Sequence, residues 1–389
     1  MNRPGSPSQE RHPEQERGPE QGEPTPPLRI GILGSGGIAV ASYGVLPNLR
    51  HYAGQIETVA IADVNVDRAQ QVADEYGIRH AFGSLTEMIA GVPLDAVINL
   101  TPIPVHFQTC KEILSAGLHL ATEKPLASTL AEADELIELA EAQGVTVVCA
   151  PPDLLFEPYA RAAELVGEKA IGKVAFARVH SSHSGPGGGP NGWPSDPTWF
   201  YQQGSGPLLD MGVYGIHEIT GILGPARRVV AFSGITESTR VVRGGPHAGL
   251  EINVDVDDNA LFMLDFGDST YAVIDGTYNL HASKSPKVEI FGRRGVINVL
   301  TPGGDPLELY RTDLAPGVDG WVDSPRPLAD NQLRQKYGRA IMIGHLAECV
   351  RTERRPLLSA EHARHALEIM LAVETSARES RIVELTTTF

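Results

Sequence analysis

Lysine is scarce in this chain, with seven residues in 389, and positive charge as a whole is outnumbered. The count is 32 Lys and Arg against 48 Asp and Glu, a formal net charge of −16. No window gathers basic residues, which argues against nucleic acid or an anionic membrane surface as a partner. Cysteine is nearly absent too. Cys110, Cys149 and Cys349 are odd in number, widely separated and outside C-x-x-C spacing. They predict neither a disulfide framework nor a zinc site, no metal is assigned, and a reducing, cytoplasmic setting is the simpler reading. No stretch reaches 18 consecutive apolar residues, so no transmembrane helix is expected, and the N-terminus lacks the apolar core of a secretory signal. What remains is 42% apolar and 21% charged, the make-up of a soluble globular protein too long for one ordinary core. Two domains follow as the expectation.

Residues 1–27 hold seven prolines, no aromatic and almost nothing apolar. Such a segment cannot bury enough surface to offset its ordering entropy, so a disordered tail is expected, with order beginning at Leu28. From there short apolar runs alternate with helical patterns. LRIGILG (28–34), IETVAIADV (56–64), DAVINLTP (95–102), HLATEKP (119–125) and VTVVCAP (145–151) read as strands. Between them, Ala69, Val72, Ala73 and Tyr76 recur at helical spacing, and helices are also expected over 106–117 and 129–144. Thr129 suits the N-cap of the last and Gly144 its stop. This alternation predicts an α/β Rossmann domain over 28–150, a doubly wound parallel sheet. Past residue 151 the rhythm changes to strand-like runs separated by turns, among them KVAFARVHSS, RRVVAFSGIT, DDNALFMLDF, TYAVIDGTYN and KVEIFGRRG. They predict an α+β second domain, 151–389, with a large, mostly antiparallel open sheet. Helices over 334–352 and 360–378 are expected to pack back on the body.

The first strand runs into a glycine-rich turn, IGILGSGGIA (30–39), which sets Gly34, Gly36 and Ala39 in G-x-G-x-x-A order. Gly34 suits the tight turn, Gly36 lets the backbone approach a pyrophosphate, and Ala39 keeps a following helix close to the sheet. The N-terminus of that helix would offer free N–H groups and the positive end of its dipole. Asp63 follows at the end of the second strand, placed to accept hydrogen bonds from an adenosine ribose and to repel a 2′-phosphate. These features point to a bound dinucleotide, NAD by the ribose rule with NADP as the alternative. Gly37 and Ile38 complete the turn expected to face it.

Lys124, in ATEKPLAS (121–128), lies at a strand end and so faces the ligand crevice of a doubly wound sheet. Two readings stand. It is a structural charge paired with an acid, or it takes the hydroxyl proton when a hydride leaves an alcohol. The second requires a lowered pKa, which burial and the positive charge of an oxidised nicotinamide would supply. A second cluster moves the balance towards chemistry. In GSGPLLDMGVYGIHEITGILG (204–224), Asp210, Tyr214 and His217 recur at i, i+4 and i+7, on one face of an expected helix.

Together these blocks resemble the Gfo/Idh/MocA oxidoreductase family, which includes glucose–fructose oxidoreductase and inositol dehydrogenase. The resemblance runs from Leu28 to the end of the chain. It rests on GILGSGGIA, TPIPVHFQTCKEILSAGLHLATEKP, LLDMGVYGIHEITGILG and the closing ETSARESRIVEL. It implies NAD(P) in the first domain and a sugar or cyclitol on the open face of the second domain's sheet. Carried over by position, Lys124 is the E-K-P lysine, a proton relay and substrate-hydroxyl contact. Glu123 approaches the nicotinamide ribose, and Asp210 is the acid of the substrate-domain helix. Thr101, Pro102 and His106 border the cofactor, with helix capping as a second reading of His106. The family's usual histidine, four residues after the acid, is here Tyr214, as in some members. A phenol ordinarily titrates near pH 10, so a Tyr214–Lys124 pair sharing the proton is expected, with Asp210 orienting one of them. His217 is then a packing or substrate-contact residue.

Residues 180–207, HSSHSGPGGGPNGWPSDPTWFYQQGSGP, are poor in regular structure, and so long a segment is functional or disordered. Trp193, Trp199, Phe200 and Tyr201 are candidates to stack on a sugar ring or to pack between subunits. His180 and His183, three apart, would leave opposite faces of a strand, which argues against a metal site. The expected activity is hydride transfer between NAD(P) and a secondary hydroxyl or ketone of a sugar, glycoside or cyclitol. The fold leaves two others open: tightly held NAD serving a transient oxidation in a hydrolysis, elimination or epimerisation, and a non-catalytic sugar sensor. Exposed sheet faces lead to the expectation of a homodimer or homotetramer.

Overall fold

Strands covered on both faces need few polar residues, and such runs form most of the first, six-stranded sheet. Its strands are β1 (Leu28–Leu33), β2 (Ile56–Ala62), β3 (His80–Phe82), β4 (Ala96–Asn99), β5 (His119–Thr122) and β6 (Val147–Cys149), all parallel, in the order β3-β2-β1-β4-β5-β6. The computed structural model describes residues 26–300, 307–322 and 337–389, so the expected tail falls outside the described residues except for its last two. Ile30, Ile32, Ile61, Val97, Ile98, Leu120 and Val148 are fully buried in this sheet. The helices beside it are α1 (Gly37–Val40), α2 (Val66–Tyr76), α3 (Leu85–Gly91), α4 (His106–Ser115) and α5 (Leu130–Gln143). Local chemistry sets their ends. In α5 the Thr129 hydroxyl accepts the Glu132 N–H while the Glu132 carboxylate accepts the Thr129 N–H, and Gly144 closes the helix in a left-handed conformation. β3 and α3 have no counterpart in the sequence reading, being three and seven residues long.

The strand order reverses between β1 and β4, which opens a crevice beyond their C-terminal ends. Leu33 is in register with Asn99, and Asn99 with Thr122. The turns that begin at Gly34, Leu100 and Glu123 therefore lie side by side at that crevice.

The chain then passes through α6 (Glu157–Gly167) into β7 (Val174–His180), the irregular segment, and a π-helical turn (Leu208–Gly212) that continues as α7 (Val213–Leu223). The strands that follow are β8 (Arg228–Gly234), β9 (Thr239–Val241), β10 (Glu251–Asn253), β11 (Asn259–Gly267), β12 (Thr270–Thr277), β13 (Val288–Gly292), β14 (Gly295–Val299), β15 (Leu307–Ala315) and β16 (Val318–Val322). The two-residue β17 (Val383–Glu384) completes a nine-stranded sheet in the order β16-β15-β14-β13-β7-β12-β11-β8-β17. Among the described residues its pairings are antiparallel apart from the parallel β7–β12 pair, while β9 and β10 form a separate ribbon. The sheet is covered on one side only. In β8, Val229 and Ala231 point to the helices, whereas Val230 and Phe232 face outwards, Phe232 being 81% exposed.

The last helices return to the body. α8 (Ile341–Thr352) packs on β5 and β6, and α9 (Ala360–Glu379) bridges α5 and α7. The helix expected over 334–352 is thus shorter in the described residues, beginning after a 3₁₀ turn at Gly338–Ala340; residues 334–336 lie outside them. No helix among the described residues is long and apolar enough to cross a membrane.

Candidate active site

The glycine turn after β1 is built as a cradle. Gly34 has φ 102°, a left-handed value that side chains disfavour, and a Cβ there would lie 3.0 Å from the Leu100 carbonyl oxygen. Around Gly36 and Gly37, by contrast, a Cβ would meet nothing within 4 Å. The N–H groups of Gly36, Gly37 and Ile38 have no acceptor among the described residues. This open, donor-lined surface fits a pyrophosphate. The expected dipole is a correction: α1 is a single turn, so free N–H groups rather than a long helix supply the positive end. Asp63 stands beside the turn. Its Oδ2 accepts the Ser35 N–H at 2.7 Å and the Ser35 hydroxyl at 2.8 Å, and Oδ1 accepts the Asn65 N–H at 2.9 Å. Burial works against its ionisation, but these hydrogen bonds outweigh burial and hold the carboxyl below the usual range.

Thr101 and Pro102 flank the same crevice after β4, with the Thr101 N–H and hydroxyl both on Asn99 Oδ1. His106 is buried and turned from it. Its Nδ1 lies 2.8 Å from the Pro125 carbonyl oxygen and its Nε2 2.7 Å from that of Thr101. With both ring nitrogens engaged, His106 braces the T-P turn to the E-K-P turn. The capping reading holds for its backbone only, whose N–H closes the 3₁₀ turn Ile103–Val105 on the Ile103 carbonyl.

Lys124 reaches from β5 across to the π-helical turn. Its Nζ donates to the Asp210 carbonyl oxygen at 2.6 Å, to Asp210 Oδ1 at 3.1 Å and to the Leu209 carbonyl oxygen at 3.4 Å. Burial opposes the ammonium charge, yet Asp210, then Tyr214 and Glu123, outweigh it and raise the Lys124 pKa. Among the protein's own groups, then, the acids hold Lys124 as a cation, and the lowering expected of an oxidised nicotinamide would have to work against them. Asp210 is likewise kept ionised against burial, by Lys124 first and then His183. On its far side, Asp210 Oδ2 accepts the Tyr278 hydroxyl at 3.1 Å and lies 3.8 Å from His183 Nε2. The Gly185 N–H donates to His183 Nδ1 at 2.8 Å, which leaves the proton on Nε2, facing Asp210. Burial, then Asp210, push the Tyr278 phenol well above its usual range, so it stays a donor.

The expected Lys124–Tyr214 hydrogen bond is absent. Lys124 Nζ sits over the Tyr214 ring, 5.3 Å from its centroid, and the phenolic oxygen instead accepts from Arg339 Nη2 at 2.5 Å. Arg339 Nη1 binds Glu123 Oε1 at 2.9 Å. Lys287 is a third cation near the ring, at 5.9 Å. These side chains meet beside the C-terminal ends of β7 and β12, where the π-helical turn and α7 pack on those strands.

His217 does not join them. α7 is buried on nearly every side, so no polar face is set apart for the site. The ring of His217 lies 4.6 Å from that of His362 in α9, inside the core. Trp193 and Phe200 pair edge to face at 5.6 Å, and Trp199 is partly exposed. The anchor of that segment is Tyr201, fully buried, whose hydroxyl donates to the Pro186 carbonyl at 2.8 Å and whose ring packs edge-on to Tyr278. His180 and His183 are drawn to separate carboxylates, Asp275 and Asp210. Arg339, His183 and Tyr278 are the members of the cluster that the sequence reading missed.

An NAD-binding Rossmann domain joined to a one-sided sheet, with a lysine bridging the two, defines a two-domain oxidoreductase. Two family profiles match: the oxidoreductase family with an NAD-binding Rossmann fold over residues 28–150, and the GFO/IDH/MocA C-terminal domain over 159–298. The chain belongs to the Gfo/Idh/MocA family, and it is an NAD(P)-dependent oxidoreductase. It is 24% identical over 323 residues to trans-1,2-dihydrobenzene-1,2-diol dehydrogenase of Xenopus tropicalis, covering 82% of this chain and 88% of that one. D-xylose 1-dehydrogenase (NADP(+)) 2 of Haloferax volcanii is 33% identical over 204 residues, 52% of this chain and 60% of its own. Among solved structures, levoglucosan dehydrogenase in complex with NADH superposes with a TM-score of 0.80 at 20% identity, over 92% of this chain and 99% of that one.

Proposed function

We propose that this protein interconverts a secondary hydroxyl and the matching ketone on a sugar, glycoside or cyclitol. The observation that carries the reading is the ammonium of Lys124, fixed by Asp210 at the mouth of the cofactor crevice beside the Tyr214 phenol. Bound in that crevice, NAD(P) supplies the hydride acceptor in one direction and the donor in the other. The chain's own residues then orient the substrate and move one proton. Lys124, held charged, donates to the reacting oxygen and favours its alkoxide character. Tyr214 exchanges the hydroxyl proton, with the nearby cations stabilising negative charge on the phenolic oxygen. Asp210 fixes Lys124, and His183 and Tyr278 fix Asp210. By the ribose rule Asp63 favours NAD over NADP. Relatives named as dihydrodiol, xylose and levoglucosan dehydrogenases support a polyol substrate. The three free, buried thiols suit a reducing, cytoplasmic setting.

The test is a panel of sugars, glycosides and cyclitols with NAD or NADP, followed by NAD(P)H absorbance. The wild type is expected to reduce the cofactor with at least one of them. Lys124→Met is expected to keep cofactor affinity and lose kcat by about 100-fold or more. A Lys124→Met variant with wild-type kcat sinks the mechanism. Glycoside conversion without NAD(P)H release would instead favour transient oxidation, and binding without turnover a sensor.

A further inference from the structure

Arg339 is the member of the cluster that lies furthest along the chain. It lies just before α8, and its side chain is only 14% exposed. Its backbone is pinned to the first domain: the Arg339 N–H donates to the Tyr43 carbonyl oxygen at 2.8 Å. The preceding Gly338 has φ 46°, and a Cβ there would lie 2.3 Å from that same oxygen. No other residue fits this close turn. The turn's partner is itself fixed, because the buried Asn48 amide donates to the Ser42 and Gly44 carbonyls at 2.9 Å. Arg339 is therefore presented to the site from a rigid base that continues the cofactor-binding turn.

Its guanidinium has donors and no acceptor. One arm satisfies Glu123 Oε1 and the other occupies a lone pair of the Tyr214 oxygen. Since Arg339 cannot accept the phenolic proton, that proton is left for another partner, and none takes it among the described residues. Glu123, by its charge, raises the Arg339 pKa against its burial, so its own charge is secure. We propose that Arg339 is the positioning residue that makes Tyr214 a proton-exchanging group. It directs the phenolic O–H to the substrate and holds the phenolate when the proton has gone. It also neutralises Glu123, whose charge would otherwise oppose that phenolate. This rests on the reading of Tyr214 given above. In the oxidation direction the substrate O–H bond breaks and its proton goes to the Tyr214 phenolate, while the C–H pair leaves as hydride to oxidised NAD(P). The reverse reaction returns both.

The experiment compares wild type, Tyr214→Phe, Arg339→Met and Arg339→Lys as full chains. D-xylose, levoglucosan or myo-inositol serves as substrate, whichever the wild type oxidises fastest. In Arg339→Met, kcat at neutral pH is expected to fall by about 10- to 100-fold, the worth of a charge-assisted hydrogen bond. The loss shrinks as pH rises, and the dissociation constant for NAD, read by protein fluorescence, stays within about twofold of wild type. Arg339→Lys, which keeps a charge without the fork, recovers part of the loss and serves if Arg339→Met does not fold. A readout independent of turnover is the tyrosinate absorbance near 295 nm that Tyr214→Phe removes. With the Arg339 hydrogen bond gone, its rise is expected at higher pH in Arg339→Met than in wild type. The proposal is overturned if neither the pH profile of kcat nor that absorbance moves, or if kcat falls equally at all pH with weakened NAD binding. A Tyr214→Phe variant with wild-type kcat refutes the reading of Tyr214 itself, whatever Arg339 does.

Discussion

Three buried histidines make the stability of the second domain depend on pH with a definite sign. His217 in α7 faces His362 in α9, and Phe389, the last residue, stacks on His362 with ring centroids 4.0 Å apart and also approaches His365. Three of the ring nitrogens meet neutral partners. His362 Nε2 meets the Thr220 hydroxyl at 2.8 Å, His365 Nε2 accepts the Ala226 N–H at 3.0 Å, and His365 Nδ1 meets the Thr387 hydroxyl at 2.8 Å. His217 Nδ1 has no hydrogen-bond partner among the described residues. Of the charged groups facing the cluster, Glu368 lies 4.0 Å from His365 and favours protonation, while Arg364 opposes it. Burial dominates. It pushes His217 down to about 3 and His365 to about 4, and lowers His362 well below its ordinary value, with repulsion between neighbouring imidazoles adding to the shifts of His217 and His362.

A base whose folded pKa is depressed stays neutral in the fold and takes up a proton on unfolding. Its contribution is complete above the unfolded pKa, about 6.5, and is lost as pH falls towards the folded value. At pH 5 a folded pKa below 5 no longer affects the size of the loss. Each histidine then costs about 1.5 units times about 1.36 kcal/mol, or about 2 kcal/mol, relative to pH 8. Three together approach about 6 kcal/mol, comparable with the whole stability of many domains. The assay is urea unfolding at pH 8 and pH 5 followed by tryptophan fluorescence. Trp193, Trp199 and Trp321 all lie beyond residue 151, so the signal reports the domain that holds the cluster. His217→Leu should shrink the difference in unfolding free energy between the two pH values by about 2 kcal/mol. An unchanged difference would refute the argument, because the proton uptake would then belong elsewhere.

Asp63→Ser should narrow the preference for NAD over NADP by about tenfold or more, measured as the ratio of the two dissociation constants, since the carboxylate that repels a 2′-phosphate is gone; a constant ratio would leave Asp63 as the clasp of Ser35 alone. The outward apolar residues of β8, β11 and β12, among them Phe232, Leu261, Met263 and Val273, suit contact with a second copy of the chain. Phe232→Lys should therefore lower the mass found by light scattering to that of a monomer, and an unchanged mass in both proteins would dismiss this face as the interface.

What was legible in the sequence was local. A glycine turn after a strand, a capping box and an alternating strand state their own geometry, so the crevice and both sheets could be read before any contact was known. The hydrogen-bond partner of the Tyr214 oxygen could not. Periodicity put His217 on the face of Asp210 and Tyr214, but a helix enclosed on nearly every side gives each of its faces a neighbour, and for His217 that neighbour was another histidine. The E-K-P turn offered Lys124 as the cation a tyrosine needs, being the nearest one in a motif. In the fold its ammonium lies over the face of the Tyr214 ring, 5.3 Å from the centroid, and not on the phenolic oxygen. The cation must then come from outside the motif, and it does: Arg339 stands 125 residues beyond Tyr214 and 216 beyond Glu123. Nothing in Y-G-R marks it, because its role follows from where Gly338 lets the chain turn against Tyr43, a contact between segments that no local pattern records.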